Sequence, residues 1–491
     1  MYKSILSSRL LVAALTISLL SGVATATNAG VALAQSESPP VNASPTESTT
    51  SPEAVAPALT SSAAATTTVY APIMRKNWPP DTLLGVGTAN LVASASGIFD
   101  AKTTWVRLEP LMWNEVEPTQ GARNWPAGLE DEIKQAAARN ARVLLIIWGT
   151  PSWAQQIPGK TCSPIRSDKL GAFATFVKDT VARYSKPPFN VKHWEIWNEQ
   201  DLPSSATPEA AYGCWGNPSD PYYGGGYYAD VLKQVAPQIR AADPAAKIVL
   251  GGLLLACSPD RSASCISGKY LEGILRNGGG PHIDIVNFHA YDAFDVGANA
   301  VGRYTWPDFG AAWNTTGPSI IAKSRFVKKI MNQYGIGSKP VMNSEVALVC
   351  WACTVAPSNY NPTKDNYIVQ SYAAAIAEGL IANIWFSWEG WYLSQLNGSA
   401  FTAYKLAGEK YGGATFAGEI AAGDVGGVSG VKGYKFNRDG KALWVIWSHD
   451  GATKNVTLPG VPKSIANAVG TTTPPAASIQ ITVNPLYIEW P

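Results

Sequence analysis

Val143-Leu144-Leu145-Ile146-Ile147-Trp148 is an unbroken apolar run. Leu170, Phe173, Phe176, Val177, Thr180, Val181 and Tyr184 follow at three- and four-residue spacing, and Val191-Lys192-His193-Trp194-Glu195-Ile196 closes the stretch. A strand-like run, a helix-period segment and a second strand-like run describe a β-α-β unit whose strands pair in parallel and are buried on both faces. The alternation extends in both directions. Thr82–Val86 and Thr104–Leu108 precede it, and Lys247–Leu253, Ile283–Phe288, Pro340–Asn343 and Ile381–Ser387 follow. Tyr228, Val231, Leu232, Val235 and Ile239 mark another helix. Eight strand–helix units predict an α/β chain folded as a (β/α)8 TIM barrel over 71–413. A doubly wound open sheet is the alternative, but no G-x-G-x-x-G follows the first run.

Beyond residue 413 the period changes. Val431–Phe436, the turn Asn437-Arg438-Asp439-Gly440 and Leu443–Trp447 read as a β-meander, with Ser478–Val483 and Leu486–Glu489 as further strands. A small β-domain over 414–491, packed on the barrel, is expected, with Thr68–Ile73 offering one more strand. So short a segment buries little core alone, so it should depend on the barrel.

At the other end, Lys3 and Arg9 precede the uncharged run Leu10–Leu20, and A-x-A sites follow at Ala24-Thr25-Ala26 and Ala32-Leu33-Ala34. This is the layout of a secretory signal peptide over 1–34. A retained membrane anchor is the alternative, but a spanning helix needs about 20 apolar residues. Residues 35–70 are almost entirely Ser, Thr, Pro, Ala and Glu, which reads as a disordered linker. A secreted or surface-tethered protein is expected, with no membrane contact after signal removal. Six Cys in an exported chain suggest disulfides among Cys162, Cys214, Cys257, Cys265, Cys350 and Cys353. The spacing leaves the pairing open. Zinc at Cys350-Trp351-Ala352-Cys353 is the rival, without a second close pair to complete it.

Composition narrows the function. A net charge of +2 with no long basic run argues against a nucleic-acid partner. Four scattered His argue against a His-based metal centre, and neither metal nor organic cofactor is expected. Eighteen Trp in 491 residues is an excess that either packs the core or faces a ligand.

In a barrel of this kind the working residues lie at the carboxyl ends of the strands. The fourth ends Trp194-Glu195-Ile196-Trp197-Asn198-Glu199-Gln200-Asp201, and the seventh ends Met342-Asn343-Ser344-Glu345. Two carboxylates, Glu199 and Glu345, then enter one mouth from nearly opposite sides, as glycoside hydrolysis requires. W-E-I-W-N-E on strand four and S-E on strand seven resemble glycoside hydrolase clan A, and most closely its family 39. Trp113–Trp125, with its E-P-x-x-G-x-x-x-W pattern, resembles the clan's loop after strand two.

That resemblance implies a retaining double displacement with Glu199 as acid/base and Glu345 as nucleophile. It also implies substrate-binding roles: Asn198 toward the sugar 2-OH, Arg107 beside the nucleophile, Tyr291 toward Glu345, His289 toward sugar, and Trp388 as a stacking platform. Trp148 and Trp153 are further candidate platforms. Arg107 has a rival partner in Glu195, on the same face of strand four. Gln200-Asp201 depart from the family's Pro after Asn-Glu, which leaves the contacts beside the acid open. His193, Trp105, Trp194 and Trp385 read as packing residues, whereas Trp113, Trp197, Trp215, Trp351 and Trp391 fall at the mouth and fit either reading.

The expected function is a secreted retaining glycosidase acting on a plant or microbial polysaccharide or oligosaccharide, β-xyloside-like or another β-glycan. Two rivals stand beside it: a non-catalytic carbohydrate-binding barrel, and a transglycosylase using the same residues. Sequence sets neither the oligomeric state nor endo against exo action.

Overall fold

In the computed structural model, residues 82–203, 213–260, 262–296, 304–305, 313 and 317–491 are described. The expected leader, linker and Thr68–Ile73 strand lie outside them. The eight strands are β1 (Leu84–Thr88), β2 (Trp105–Leu108), β3 (Arg142–Trp148), β4 (His193–Asn198), β5 (Lys247–Gly252), β6 (Val286–Phe294), β7 (Val341–Val349) and β8 (Asn383–Trp385). Each is followed by a helix: α1 (Leu91–Asp100), α2 (Ala127–Ala138), α3 (Leu170–Tyr184), α4 (Gly225–Ala242), α5 (Tyr270–Arg276), α6 (Ile320–Gln333), α7 (Tyr360–Ala377) and α8 (Gly398–Tyr411).

The strands pair in parallel in the order β5-β4-β3-β2-β1-β8-β7-β6. Bridges Val249–Ile285 and Leu253–Phe288 bring β5 against β6 and close the ring. The (β/α)8 expectation therefore holds. Its physical cause is plain in β3, where every residue after Arg142 is buried, and in α3, whose three- and four-spaced apolar residues are all buried.

Two strands differ from expectation. β6 and β7 each run nine residues, all buried, and extend six past the predicted ends. His289 and Tyr291 thus lie within β6 rather than after it, and Glu345 lies mid-strand. The polar residues Asn287, His289, Ser344 and Glu345 break the apolar run without ending the strand, because each is hydrogen-bonded inside the barrel.

After the barrel come β9 (Thr415–Glu419), β10 (Val431–Arg438), β11 (Lys441–Ser448), β12 (Lys454–Thr457), β13 (Ser464–Asn467), β14 (Thr472–Thr473), β15 (Ser478–Ile481) and β16 (Leu486–Glu489). Six form an antiparallel sheet ordered β9-β10-β11-β16-β13-β14, and β12 pairs with β15. Arg438 faces Lys441 across a two-residue hairpin, Asp439-Gly440, and both central residues have positive φ (52° and 78°). Asp-Gly suits such a turn because its backbone twist matches that of the strands. The sheet packs on the barrel through Tyr411 of α8, which meets Phe436 and Tyr487, each at 5.7 Å between ring centres. Asn366 of α7 also donates to Asn484 Oδ1 at 2.7 Å.

All six cysteines pair: Cys162–Cys214, Cys257–Cys265 and Cys350–Cys353. The first joins the loops after β3 and β4 across 52 residues. Replacing both its cysteines with Ala is expected to lower stability by about 2–4 kcal/mol, since the bridge restricts the unfolded chain. A denaturant midpoint unchanged from the parent would show that the bridge contributes nothing. Among the described residues, no helix is long and apolar enough to cross a membrane.

Candidate active site

Arg107 points into the barrel from β2 and is 4% exposed. It donates from Nε to Glu195 Oε2 at 2.8 Å, from Nη2 to Glu195 Oε1 at 3.1 Å and to Asn198 Oδ1 at 2.7 Å, and from Nη1 to Glu345 Oε1. Both readings of Arg107 are therefore realised: one guanidinium serves Glu195 and Glu345 together. Burial opposes its charge, but the two carboxylates more than offset this and raise its pKa. Glu195 is fully buried and also accepts from Gly252 N at 3.0 Å and Asn287 Nδ2 at 3.1 Å. Its role is to hold Arg107.

Strict alternation along β4 would put Glu195 and Asn198 on opposite faces. Both nevertheless reach Arg107, because the strand end changes phase. Trp197 and Glu199 have left-handed φ angles of 77° and 46°, a conformation that costs a non-glycine residue about 1–2 kcal/mol. Trp197 turns out against Phe173 of α3 at 6.2 Å and Trp215 at 4.6 Å. Asn198 turns inward, and Glu199 follows, its N–H donating to Gly252 O at 2.9 Å.

β7 achieves the same end with a bulge. Phe288 pairs with Asn343 but His289 pairs with Glu345, so β7 carries one extra residue, Ser344. The register to β8 shifts over the same stretch. The insertion re-aims the chain so that Ser344 and Glu345 both reach the interior. Tyr291 donates to Glu345 Oε2, which leaves Glu345 held by a phenol on one oxygen and a guanidinium on the other.

His289, expected toward sugar, is engaged by protein groups in this structure. Its ring is fully buried, with Nδ1 2.9 Å from Glu199 Oε1 and Nε2 3.0 Å from Ser344 Oγ. Both nitrogens are occupied, and the ring can sit this close to β5 only because Gly252 lacks a side chain. A Cβ there would lie 2.0 Å from Nε2.

Glu199, His289 and Glu345 each offer an atom within 4.8 Å of the others. Such a trio has metal-ligand chemistry, but the guanidinium already bonded to Glu345 opposes a second cation there. Burial first, then the charges of Glu345 and Asp201, push Glu199 well above the ordinary carboxylate range. Burial also raises Glu345, while Arg107 and the Tyr291 hydrogen bond pull it back. Of the two, Glu199 is therefore pushed further toward the protonated form.

Gln200-Asp201, where the family has Pro, proves structural. Asp201 accepts from Leu254 N at 2.9 Å and Leu255 N at 2.8 Å, and burial raises its pKa to about 6. Gln200 Nε2 donates to Gly251 O at 2.9 Å. The fully buried Lys323, lowered to about 8 by burial, donates to Leu254 O at 2.6 Å and His289 O at 2.8 Å. Alternation within β6 (Asn287, His289, Tyr291) was a readable signal for Asn287. Nothing in the sequence pointed to Lys323.

The tryptophans divide differently from expectation. Trp388 is turned away from the carboxylates: its ring covers Gly97 of α1 and meets Phe401 of α8 at 5.9 Å. Trp153 packs edge-on against Trp113 at 5.1 Å and donates to Glu117 O. Trp148 is buried against Trp197 at 6.1 Å. Trp113, Trp197 and Trp215 are buried as well. Trp391 is half-buried and lies 5.4 Å from Tyr291, with Phe386 6.3 Å from the same ring and Trp351 4.9 Å from Trp391. His193 lies edge-on to Trp105 at 4.7 Å, and burial lowers its pKa to about 3, as a packed neutral imidazole requires.

The loop after β2 owes its pattern to Glu117, which accepts from Gly121 N at 2.7 Å and Arg123 Nε at 2.8 Å. A cavity of about 240 Å³ beside it, lined by Glu109, Met112, Glu115 and Asn124 among others, contains neither Glu199 nor Glu345. The buried, cross-linked carboxylates, rather than concavity, mark the site.

No protein-family model matches the chain, and no curated protein matches its sequence. Solved structures do match its fold. A family 39 glycoside hydrolase from Bacteroides cellulosilyticus is 17% identical, covering 84% of this chain and 81% of that one, with a TM-score of 0.63. A family 30 endoxylanase from Clostridium papyrosolvens is 13% identical over 84% of this chain and 97% of that one, with a TM-score of 0.54. An α-L-arabinofuranosidase from Thermotoga maritima is 12% identical over 84% and 97%, with a TM-score of 0.50. At such identities the likeness is one of fold.

Proposed function

We propose that this chain is a retaining O-glycoside hydrolase in which Glu199 is the acid/base and Glu345 the nucleophile. The observation that carries the reading is the approach of the two carboxylates, with one oxygen of Glu199 within 4.8 Å of one oxygen of Glu345. Retaining glycosidases hold the pair about 5–5.5 Å apart, whereas inverting ones need about 6.5–9.5 Å to admit a water. The fold supports the same reading, since the solved structures that share it include glycoside hydrolases of families 39 and 30.

In the first step Glu199 gives its proton to the glycosidic oxygen while Glu345 attacks the anomeric carbon. The carbon–oxygen bond breaks, the leaving sugar departs as an alcohol, and a glycosyl ester forms on Glu345. In the second step Glu199, now ionised, takes a proton from water; the hydroxyl attacks the anomeric carbon and Glu345 leaves as carboxylate. Arg107 and Tyr291 hold Glu345 in place and stabilise its charge on departure. Asn198, whose Oδ1 is committed to Arg107, has its amide nitrogen left for a sugar hydroxyl. Trp391, in place of Trp388, supplies the stacking surface for the apolar face of a pyranose.

The substrate reading is a neutral β-linked glycan, β-xyloside-like, met outside the cell after export. It rests on the family 39 likeness, the near-neutral charge and the three disulfides. A panel of neutral polysaccharides and aryl β-glycosides, with the product anomer followed by proton NMR, tests it. The β-anomer is expected first; the α-anomer would overturn the retaining assignment. No cleavage across the panel would favour a binding barrel, and oligosaccharide products with added acceptor would identify a transglycosylase.

A further inference from the structure

Ser344, the extra residue of the β7 bulge, is fully buried, and its hydroxyl has two hydrogen-bonding neighbours among the described residues. These are Asn287 Nδ2 at 2.8 Å and His289 Nε2 at 3.0 Å. The orientation of Asn287 is fixed by its other contacts. Its Oδ1 accepts from Ser344 N at 3.1 Å, and its Nδ2 also donates to Glu195 Oε1 at 3.1 Å. Reversing the amide would set its oxygen against a carboxylate.

An amide nitrogen only donates, so Ser344 Oγ accepts from Asn287. Its own proton then has one acceptor, His289 Nε2, which is therefore the unprotonated ring nitrogen. The ring hydrogen sits on Nδ1, 2.9 Å from Glu199 Oε1 and 3.5 Å from Glu345 Oε2.

We propose that Ser344 is a positioning residue that locks His289 in its Nδ1–H tautomer, so that Glu199 Oε1 always accepts a hydrogen bond and the transferable proton resides on Oε2. The proposal rests on the reading of Glu199 as acid/base. Burial, with the charges of Arg107 and Lys323, keeps the imidazole neutral, so it donates without titrating. The chain Asn287–Ser344–His289 thus relays a fixed donor to the acid. When Glu199 ionises between the two steps, the same N–H stabilises its charge at once, with no reorganisation. In the opposite tautomer the Nδ1 lone pair would face Glu199, accept its proton on Oε1 and hold it away from the leaving group.

Two measurements on the full-length protein test this. Nitrogen NMR of protein labelled in its four histidines reads the tautomer directly. His289 is expected to be protonated at Nδ1 and bare at Nε2 in the parent, and to lose that pattern in Ser344→Ala. In kinetics, Ser344→Ala is expected to cost about tenfold in kcat/KM for alkyl or sugar leaving groups, part of the 10²–10⁴-fold that general-acid catalysis contributes. It should cost little for activated aryl leaving groups that depart unaided.

The alkaline limb of kcat/KM should also move up, because a Glu199 that donates to Nδ1 is harder to ionise. A loss of packing alone would slow both substrates equally and leave the limb in place. Ser344→Thr, which retains the hydroxyl, should keep the parent's ring-nitrogen pattern and limb. An Nε2–H tautomer in the parent, or an Ala variant with the parent's tautomer and limb, overturns the proposal. If the parent cleaves no glycoside yet shows the Nδ1–H tautomer, the glycosidase reading fails and the tautomer lock stands.

Discussion

Replacing Glu345 with Gln is expected to lower kcat by on the order of 10⁴-fold or more, the scale on which covalent catalysts lose rate without their nucleophile. The residue is 6% exposed and bonded to Arg107 and Tyr291. Gln keeps the shape and can still accept from Arg107, and its amide can donate to the tyrosine oxygen. What it loses is the negative charge and the lone pair that form the glycosyl ester. The fold should survive, so unfolding midpoint and substrate binding near the parent values must accompany the lost turnover. A Glu345→Gln variant that turns over substrate at the parent rate would remove the catalytic reading and leave a sugar-binding barrel.

The second large effect belongs to Glu199 and depends on the leaving group. Glu199→Ala should cost about 10²–10⁴-fold in kcat/KM for glycosides whose leaving group needs a proton. Activated aryl glycosides should still react in the first step, then stall as the glycosyl ester, because no base remains for water. Azide, a nucleophile that needs no deprotonation, should restore turnover and yield a glycosyl azide of retained configuration. The pH dependence has a definite sign. Glu199 must be protonated to act, and burial and the charge on Glu345 raise its pKa, so activity persists above the ordinary carboxylate range and falls as pH rises through the raised value. That limb should vanish in Glu199→Ala. Equal losses for good and poor leaving groups, with no azide effect, would assign Glu199 another role.

Several parts of this molecule were legible before folding. The run Val143–Trp148 and the spaced residues of α3 needed only their own periodicity, because burial on both faces of a strand or one face of a helix is a local demand. Asp439-Gly440 announced its hairpin because few residues tolerate two successive positive φ angles. Glu199 and Glu345 stood out because strand ends four and seven open into one mouth. Other features were not legible. Trp388 and Trp391 lie three residues apart in one loop, and which of them faces Tyr291 depends on how that loop packs on α1 and α8. Arg107 had two acidic partners in view, and sequence offered no ground for expecting both.

By itself, then, the sequence determined the eight-fold alternation and the antiparallel elements that follow it, since each is written in a short window by hydrophobic period or by turn chemistry. Tertiary structure alone decided the Ser344 bulge, the left-handed turn at Trp197 and Glu199, the contact of His289 with Glu199 and the pairing of the cysteines. Those features are differences in register and reach between segments far apart in the chain, here Arg107 with Glu345 and Glu195 with Asn287. A contact of that kind acquires its energy only when both partners are buried together, so no local window of sequence can carry it.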